Sequence, residues 1–266
     1  EGIRTGAVAT WIRDRGIASL NTDILYGLPH QTPQKIADSI QKLMALSPDR
    51  IALYGYAHVP WMAKRQVMIP DDTLPDAQAR LRLFEVARDL LVADGYDEIG
   101  IDHFARPGDG LAVAQRAGLL RRNFQGYTDD LAQALVGMGA SSISRFPQGY
   151  AQNAPATGAY TKAIREGRFS TTRGHVFTDE DNWRARMIEA LMCDFRISAE
   201  EFIRDHGFTQ AALAALFAPV KEEFGDMVQL DDSGLSIPEP GRPLTRMIAR
   251  RFDGYEMEAK GHSPAI

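Results

Sequence analysis

The residue types that could do chemistry stand in or just after apolar runs. Asp23 lies within the run at 19–26 and His103 at the end of the run at 96–104, while His58 follows the run at 50–56. A buried carboxylate must accept hydrogen bonds, so we expect Asp23 to be buried and bonded, most simply to a backbone group or an arginine. The histidines could donate a proton. The six histidines form no H-x-H or H-E-x-x-H motif, which argues against a metal site made by them.

The segment 121–128 and the residue Cys193 could each have either a chemical or a structural role. The segment 121–128 concentrates arginines, amides and aromatic residues in a predicted loop. Its guanidinium groups could bind a carboxylate, although a solvated loop has the same composition. Cys193 lies within a predicted amphipathic helix, which favours a buried, small apolar side chain over a nucleophile.

The elements that must position these residues alternate along the first two thirds of the chain. Helices are predicted at 4–14, from Pro33 to about Ala45 with Thr32 as N-cap, and from Pro75 to Ala93. Strands are predicted at 19–26, 50–56, 96–104 and 141–144. This alternation predicts a parallel sheet with right-handed crossovers, in which ligands bind at the carboxyl ends of the strands. Periodicity does not decide between an open sheet and a barrel.

The last third has a different pattern. Amphipathic helices are predicted at 179–195, 199–205, 209–224 and 244–252, with a hairpin over 227–237. Helices followed by a small hairpin predict a winged-helix-like module. We therefore divide the chain into domains at 1–178 and 179–254, followed by a tail at 255–266.

Composition excludes several classes of protein. The 266 residues are 44% hydrophobic and 24% charged, which excludes a disordered chain and a fibre. The net charge is -5 and the basic residues are scattered, which argues against nucleic-acid binding. With one cysteine, the chain can form neither an intramolecular disulfide nor a cysteine-ligated iron-sulfur cluster. No signal peptide or apolar stretch of ~18 residues is present, so a cytoplasmic protein without a membrane partner is predicted.

Six segments, in order along the chain, carry a resemblance to a known family. They are 21–32 (NTDILYGLPHQT), 56–60 (YAHVP), 100–107 (GIDHFARP), 111–116 (LAVAQR), 122–128 (RNFQGYT) and 137–144 (GMGASSIS). Together they resemble the oxygen-independent coproporphyrinogen III oxidases, radical S-adenosylmethionine enzymes of heme biosynthesis. The similarity runs from about Arg4 to the C-terminus and covers only the later part of the family's chain. It implies an α/β fold, with the later part of a partial (β/α) TIM-like barrel followed by a helical, winged-helix-like C-terminal domain.

The resemblance also implies an activity and its cofactors. The family oxidatively decarboxylates two propionates of coproporphyrinogen III to the vinyl groups of protoporphyrinogen IX. It uses a 5′-deoxyadenosyl radical made from S-adenosylmethionine at a 4Fe-4S cluster, with electrons from a separate donor. The complete enzyme is expected to be a monomer without a nucleic-acid partner.

Site residues follow from the matching motifs. Asp23 resembles the carboxylate that binds the ribose of S-adenosylmethionine, and Leu25 resembles an apolar wall beside it. Ala57 and Ile143 resemble contacts to the adenosyl group, whereas Phe124 and Gln125 resemble residues at a second S-adenosylmethionine position. From charge alone, Arg106 or Arg122 is predicted to pair with a propionate of the substrate.

The chain departs from the family in one respect, because the C-x-x-x-C-x-x-C cluster motif is absent. We expect the cluster ligands to lie upstream of Glu1 and this chain alone to be a catalytically inert fragment. Two alternatives remain. A heme-trafficking paralogue is expected to lack the segment 122–128, which this chain has. A nucleic-acid-binding regulator would need a basic recognition surface, whereas the segment 200–232 is acidic.

Overall fold

A computed structural model describes residues 2–255, with side chains described from residue 5. Its first part is built on a four-stranded sheet with strand order β1-β2-β4-β3. The strands are β1 (Asn21–Tyr26), β2 (Arg50–Gly55), β3 (Asp97–Ile99) and β4 (His103–Ala105). Strands β1 and β2 are parallel, while β4 is antiparallel to both β2 and β3. The helices of this part are α1 (Gly2–Asp14), α2 (Pro33–Met44) and α3 (Ala77–Ala93).

Local signals set the helices that cover one face of this sheet. The hydroxyl of Thr32 accepts a hydrogen bond from the backbone of Lys35, and Pro33 is the first residue of α2, as predicted. Asp76 caps α3 in the same way. The buried core residues between α2, α3 and the sheet are Ile36, Ile40, Ile51, Leu53, Leu83, Ala87, Leu91 and Phe104. Burying each large aliphatic side chain contributes about 1.5–3 kcal/mol, so this core holds the sheet in place.

The prediction of a single strand at 96–104 is wrong. Gly100 has a φ of 54° and reverses the chain, so that β3 and β4 form a hairpin. Glycine tolerates this left-handed conformation because it has no Cβ. The prediction of an all-parallel sheet is therefore wrong as well, and holds only for the pair of β1 and β2.

The middle of the chain forms two small antiparallel sheets. Helix α4 (Gly110–Arg116) precedes a hairpin of β5 (Arg121–Asn123) and β6 (Gly126–Thr128). A second sheet has the order β7-β8-β9 and includes α5 in a connection. Its elements are β7 (Ile143–Phe146), β8 (Gly149–Asn153), α5 (Thr157–Arg165) and β9 (Thr171–Val176). The apolar run at 141–144 thus leads into this separate sheet and does not extend the first one.

The last part is helical with a small sheet, and its predicted helices and hairpin are confirmed. The elements are α6 (Asp179–Asp194), β10 (Arg196–Ser198), α7 (Ala199–His206), α8 (Gln210–Phe224), β11 (Gln229–Asp231), β12 (Gly234–Ser236) and α9 (Thr245–Arg250). Strand β10 is not predicted from the sequence, and it pairs with β12. The core of this part includes Met187, Leu191, Phe202, Leu213, Phe217, Leu235, Ile248 and Phe252. Of the predicted tail at 255–266, residues 256–266 lie outside the described residues. None of the helices within 2–255 is long and apolar enough to cross a membrane.

Candidate functional site

The candidate site lies on the face of the first sheet that points away from α2 and α3. In β1, Ile24 and Tyr26 pack towards the helices, so the alternating Asp23 and Leu25 lie on the opposite face. Asp23 is beside Ala52 of β2, which in turn is opposite His103 of β4. We call this surface, with Asp23, Leu25, Tyr54 and His103, the open face.

Exposure falls across the open face from β1 to β4. The prediction that Asp23 is buried is wrong, because Asp23 and Leu25 are exposed. Within the described residues β1 is an edge strand, and no element covers this end of the face. The carboxylate of Asp23 accepts one hydrogen bond, from the side-chain amide of Asn21 at 3.2 Å. Its remaining lone pairs can therefore bind a ligand.

A charged network holds His103 at the other end of the open face. Oδ1 of Asp102 lies 2.6 Å from Nδ1 of His103, and its Oδ2 accepts a hydrogen bond from Arg246 of α9, also at 2.6 Å. Burial raises the pKa of Asp102, but the hydrogen bond and charge of His103, with the charges of Arg246 and Arg122, outweigh burial and keep that pKa below its usual value. Asp102 is therefore ionised, and the donor that it holds is Nδ1 of the imidazole.

Aromatic rings fix the orientation of the His103 ring. The rings of Tyr54 and Tyr127 meet it edge-on, with centroid distances of 5.7 Å and 5.0 Å. Burial, and then the negative charges of Asp102 and Asp23, raise the pKa of the Tyr54 hydroxyl. Tyr54 is therefore a neutral hydrogen-bonding group on the open face at physiological pH.

The segment 122–128 closes this side of the site. The hydroxyl of Tyr127 donates to the carbonyl of Met192 at 2.8 Å and accepts from the backbone of Ile101 at 3.0 Å, which ties β6 to the β3–β4 turn and to α6. The guanidinium of Arg122 lies 5.5 Å from the centre of the Tyr127 ring. Its Nε is buried and has no hydrogen-bond partner among the described residues. A cation is thus held beside the open face.

The other predicted residues are more dispersed. Phe124 and Gln125 are exposed at the turn between β5 and β6, where Phe124 packs edge-on against Tyr150 at 5.0 Å. Ala57 is exposed in the loop after β2, and its carbonyl accepts a hydrogen bond from Gln66 at 3.0 Å. Ile143 begins β7 and is half-buried. The roles assigned to these residues stay predictions.

The structure does not bring Arg106 to the open face. Its backbone bonds to Asp49 at the start of β2, at the opposite edge of the sheet from the carboxyl ends of β1 and β2. Its side chain donates to the carboxylate of Asp94 at 2.8 Å and lies 3.9 Å from the ring centre of Tyr96. Of the two predicted propionate partners, only Arg122 lies beside this face.

Sequence reasoning missed two residues of the site. Tyr54 alternates with the buried Leu53 in β2, so the period of the strand could have placed it on the open face. Arg246 is 144 residues from Asp102, and no local signal connects them.

The described residues offer no cluster site of their own. Cys193 is buried, as predicted, and burial raises the pKa of its thiol to about 12. Within 2–255 no group of three or more histidine, cysteine or acidic side chains could hold a metal ion. A cubane normally takes three or four thiolates, so this part of the chain does not fit a 4Fe-4S cluster.

Comparisons with known proteins identify relatives over almost the whole chain. No protein-family model matches. The oxygen-independent coproporphyrinogen III oxidase of Paracoccus denitrificans is 76% identical over 255 residues, which cover 96% of this chain and 56% of that protein. The enzyme of the same name from Cereibacter sphaeroides is 54% identical, covering 94% of this chain and 55% of that protein.

A solved structure is similar to this chain in both sequence and fold. The coproporphyrinogen III oxidase HemN from Escherichia coli, described as a radical SAM enzyme, is 36% identical and matches with a TM-score of 0.87. The match covers 96% of this chain and 59% of that one.

The α/β fold of this chain is therefore similar to that of an enzyme of the radical S-adenosylmethionine class. Within that class, the resemblance to the oxygen-independent coproporphyrinogen III oxidases is confirmed. The chain spans about half the length of the curated relatives it matches.

Proposed function

We propose that this chain forms part of an oxygen-independent coproporphyrinogen III oxidase, which converts two propionates of coproporphyrinogen III into the vinyl groups of protoporphyrinogen IX. The observation that carries the proposal is the open face itself. It places an available carboxylate, Asp23, on the same surface as the Asp102-held His103, in a chain that is 76% identical over 255 residues to one of these oxidases. The sheet is then the later part of a partial barrel over 1–178, and 179–254 is a winged-helix-like domain.

Asp23 and Leu25 provide the binding surface for S-adenosylmethionine. A carboxylate with free lone pairs suits the two hydroxyls of a ribose, and an exposed leucine two residues along the same strand suits the flat adenine. Phe124 and Gln125, with Ala57 and Ile143, contribute further contacts from the loops. S-adenosylmethionine and a 4Fe-4S cluster supply the radical chemistry when bound. The described residues hold no ligands for the cluster.

Arg122 binds a propionate of the substrate. Its guanidinium is held over the Tyr127 ring, and its positive charge suits a carboxylate. His103, with Nδ1 held by Asp102, presents Nε2 towards the turn that carries Phe124. These groups orient the substrate and exclude water from the inner end of the open face.

The enzyme acts in the cytoplasm as a monomer and draws electrons from a separate donor. It needs neither a membrane nor a nucleic acid for this reaction.

A chimera tests the proposed function. This chain replaces the matching part of the Paracoccus denitrificans relative, and protoporphyrinogen formation is measured anaerobically with S-adenosylmethionine and a reductant. We expect turnover, together with a loss of S-adenosylmethionine affinity of roughly 10- to 150-fold in Asp23→Asn, because a hydrogen bond to a charged group contributes about 1.5–3 kcal/mol. Asp14→Asn, at an exposed aspartate of α1, is the matched control. A folded, cluster-loaded chimera that makes no product would refute the proposed function.

A further inference from the structure

A cavity lies apart from the open face. It has a volume of about 870 Å³ and is bounded by the loop after β2, the start of α3 and the ends of α8 and α9. We call it the α9 cavity. Its apolar lining includes Trp61, Leu74, Phe224 and Met247, and its cationic lining includes Arg80 and Arg250. The volume is within the range of ~300–1,000 Å³ typical of small-molecule sites.

The charges around the α9 cavity do not balance. Arg251 pairs with Glu223, and Nε2 of His58 lies 3.1 Å from the carboxylate of Asp71. Among residues 2–255, neither Arg80 nor Arg250 has a carboxylate partner. Two guanidinium groups are thus left without an ion-pair partner beside an apolar surface.

Arg80 is held at an unusual position for a cation. Its Nη1 donates to the carbonyl of Tyr56 at 2.8 Å. The guanidinium lies against Gly27 and Gly55, where an added Cβ would be only 3.1 Å and 2.8 Å from its terminal nitrogens. Two glycines therefore make the room that lets this side chain reach the carboxyl ends of β1 and β2.

Hydrogen bonding in the same place is incomplete. Nε of Arg80, the hydroxyl of Tyr56 and Nδ1 of His58 are buried without a partner, and all three residues line the α9 cavity. They account for three of the five such atoms in the described part of the chain. Buried polar groups in proteins are nearly always satisfied, so the lining of this cavity has hydrogen-bonding capacity that the described residues do not use.

We propose that the α9 cavity binds an apolar, ring-containing carboxylate. The carboxylate pairs with Arg80, exposed Arg250 adds the second positive charge, and the ring packs on Trp61 and Phe224. A planar guanidinium matches a carboxylate in a bidentate geometry, and the apolar lining matches a ring. None of Asp23, Leu25 and Arg122 lines this cavity, so the proposed roles of these residues can fail without this inference failing.

Calorimetric titration of the chain with a matched pair of probes tests the inference. The probes are 2-naphthoate and the neutral 2-naphthamide, which have the same ring system. We expect 2-naphthoate to bind about 10-fold more tightly or better, and Arg80→Gln to remove that advantage, because a charge-assisted hydrogen bond is lost. Arg82→Gln, an exposed arginine two residues along the same helix, is the control and should leave the affinity unchanged.

Several outcomes would overturn the inference. Equal affinity for the two probes would do so, as would wild-type affinity for 2-naphthoate in Arg80→Gln. A loss in Arg122→Gln in place of Arg80→Gln would locate binding on the open face. If Arg80→Gln does not fold, variants at two exposed positions test the inference in its place. Arg250→Gln and Trp61→Ala should each weaken 2-naphthoate binding by about 2- to 5-fold. Unchanged affinity in both would overturn the inference.

Discussion

Replacing Tyr127 with phenylalanine removes a single oxygen atom that joins three parts of the structure. The hydroxyl accepts from the backbone of Ile101 at 3.0 Å and donates to the carbonyl of Met192 at 2.8 Å. Met192 lies in the last turn of α6, where carbonyl groups have no intrahelical partner. Tyr127 is only 8% exposed, so water has little access to replace the lost bonds. The ring itself is retained, which confines the effect to hydrogen bonding.

The magnitude follows from the two backbone groups that lose their partner. A buried polar group left unsatisfied costs about 1–3 kcal/mol, so the free energy of unfolding should fall by roughly 2–4 kcal/mol after partial relaxation. For a chain of this size, each kcal/mol lowers Tm by about 2–4 °C, which gives a shift of roughly 5–15 °C.

Urea denaturation followed by circular dichroism measures this loss. The matched control is Tyr150→Phe, because the ring of Tyr150 packs on Phe124 and Phe177 while its hydroxyl has no hydrogen-bond partner among the described residues. We expect the control to change stability by less than about 0.5 kcal/mol. If Tyr127→Phe were as stable as the control, the assignment of this hydroxyl as the link between β6, the β3–β4 turn and α6 would be wrong.

Three further predictions test the packing, the charged network and the thiol. Gly100→Ala should lower the free energy of unfolding by about 2–4 kcal/mol more than Gly118→Ala does. Both glycines have positive φ, but only at position 100 would a Cβ overlap the ring of Tyr127. In Arg246→Ala, loss of the partly exposed partner of Asp102 should cost about 1–2 kcal/mol at pH 7 by urea denaturation. The pKa of Asp102 is lower in the folded state than its unfolded value of 3.8, so this contribution is present above pH 3.8 and the difference between the two proteins should shrink as the pH falls below it. Cys193, with a thiol pKa of about 12, should react with iodoacetamide at pH 8 about three orders of magnitude more slowly than free cysteine, and comparable rates would contradict its burial.

Local chemistry made part of the fold predictable. The start of α2 follows from Thr32 and Pro33, whose cap and ring act within one helical turn. The reversal at Gly100 depends instead on Tyr127, a residue 27 positions along the chain whose ring lies where a Cβ at position 100 would be. The run at 96–104 by itself has the pattern of one strand. Burial of Asp23 was predicted wrongly because the pattern of a strand does not reveal what covers it.

Part of the candidate site could also be predicted from the sequence. Alternation along β1 places Asp23 and Leu25 on one face, and the segment 122–128 does lie beside that face. The contact between Asp102 and Arg246 spans 144 residues and depends on how α9 packs against the sheet. Pairings of that kind are decided by tertiary structure alone.

The two ends of the first sheet differ in a way that limits self-assembly. At β3, Gln115 donates to the carbonyl of Glu98 and accepts from the backbone of Gly100, so side chains already occupy that edge. At β1, the outer edge has no strand beside it among the described residues. Two copies of the described part of the chain that met through β1 would each use the one free edge of this sheet, and the product would be a closed, two-fold symmetric pair. Growth through the edges of the first sheet would stop at two copies.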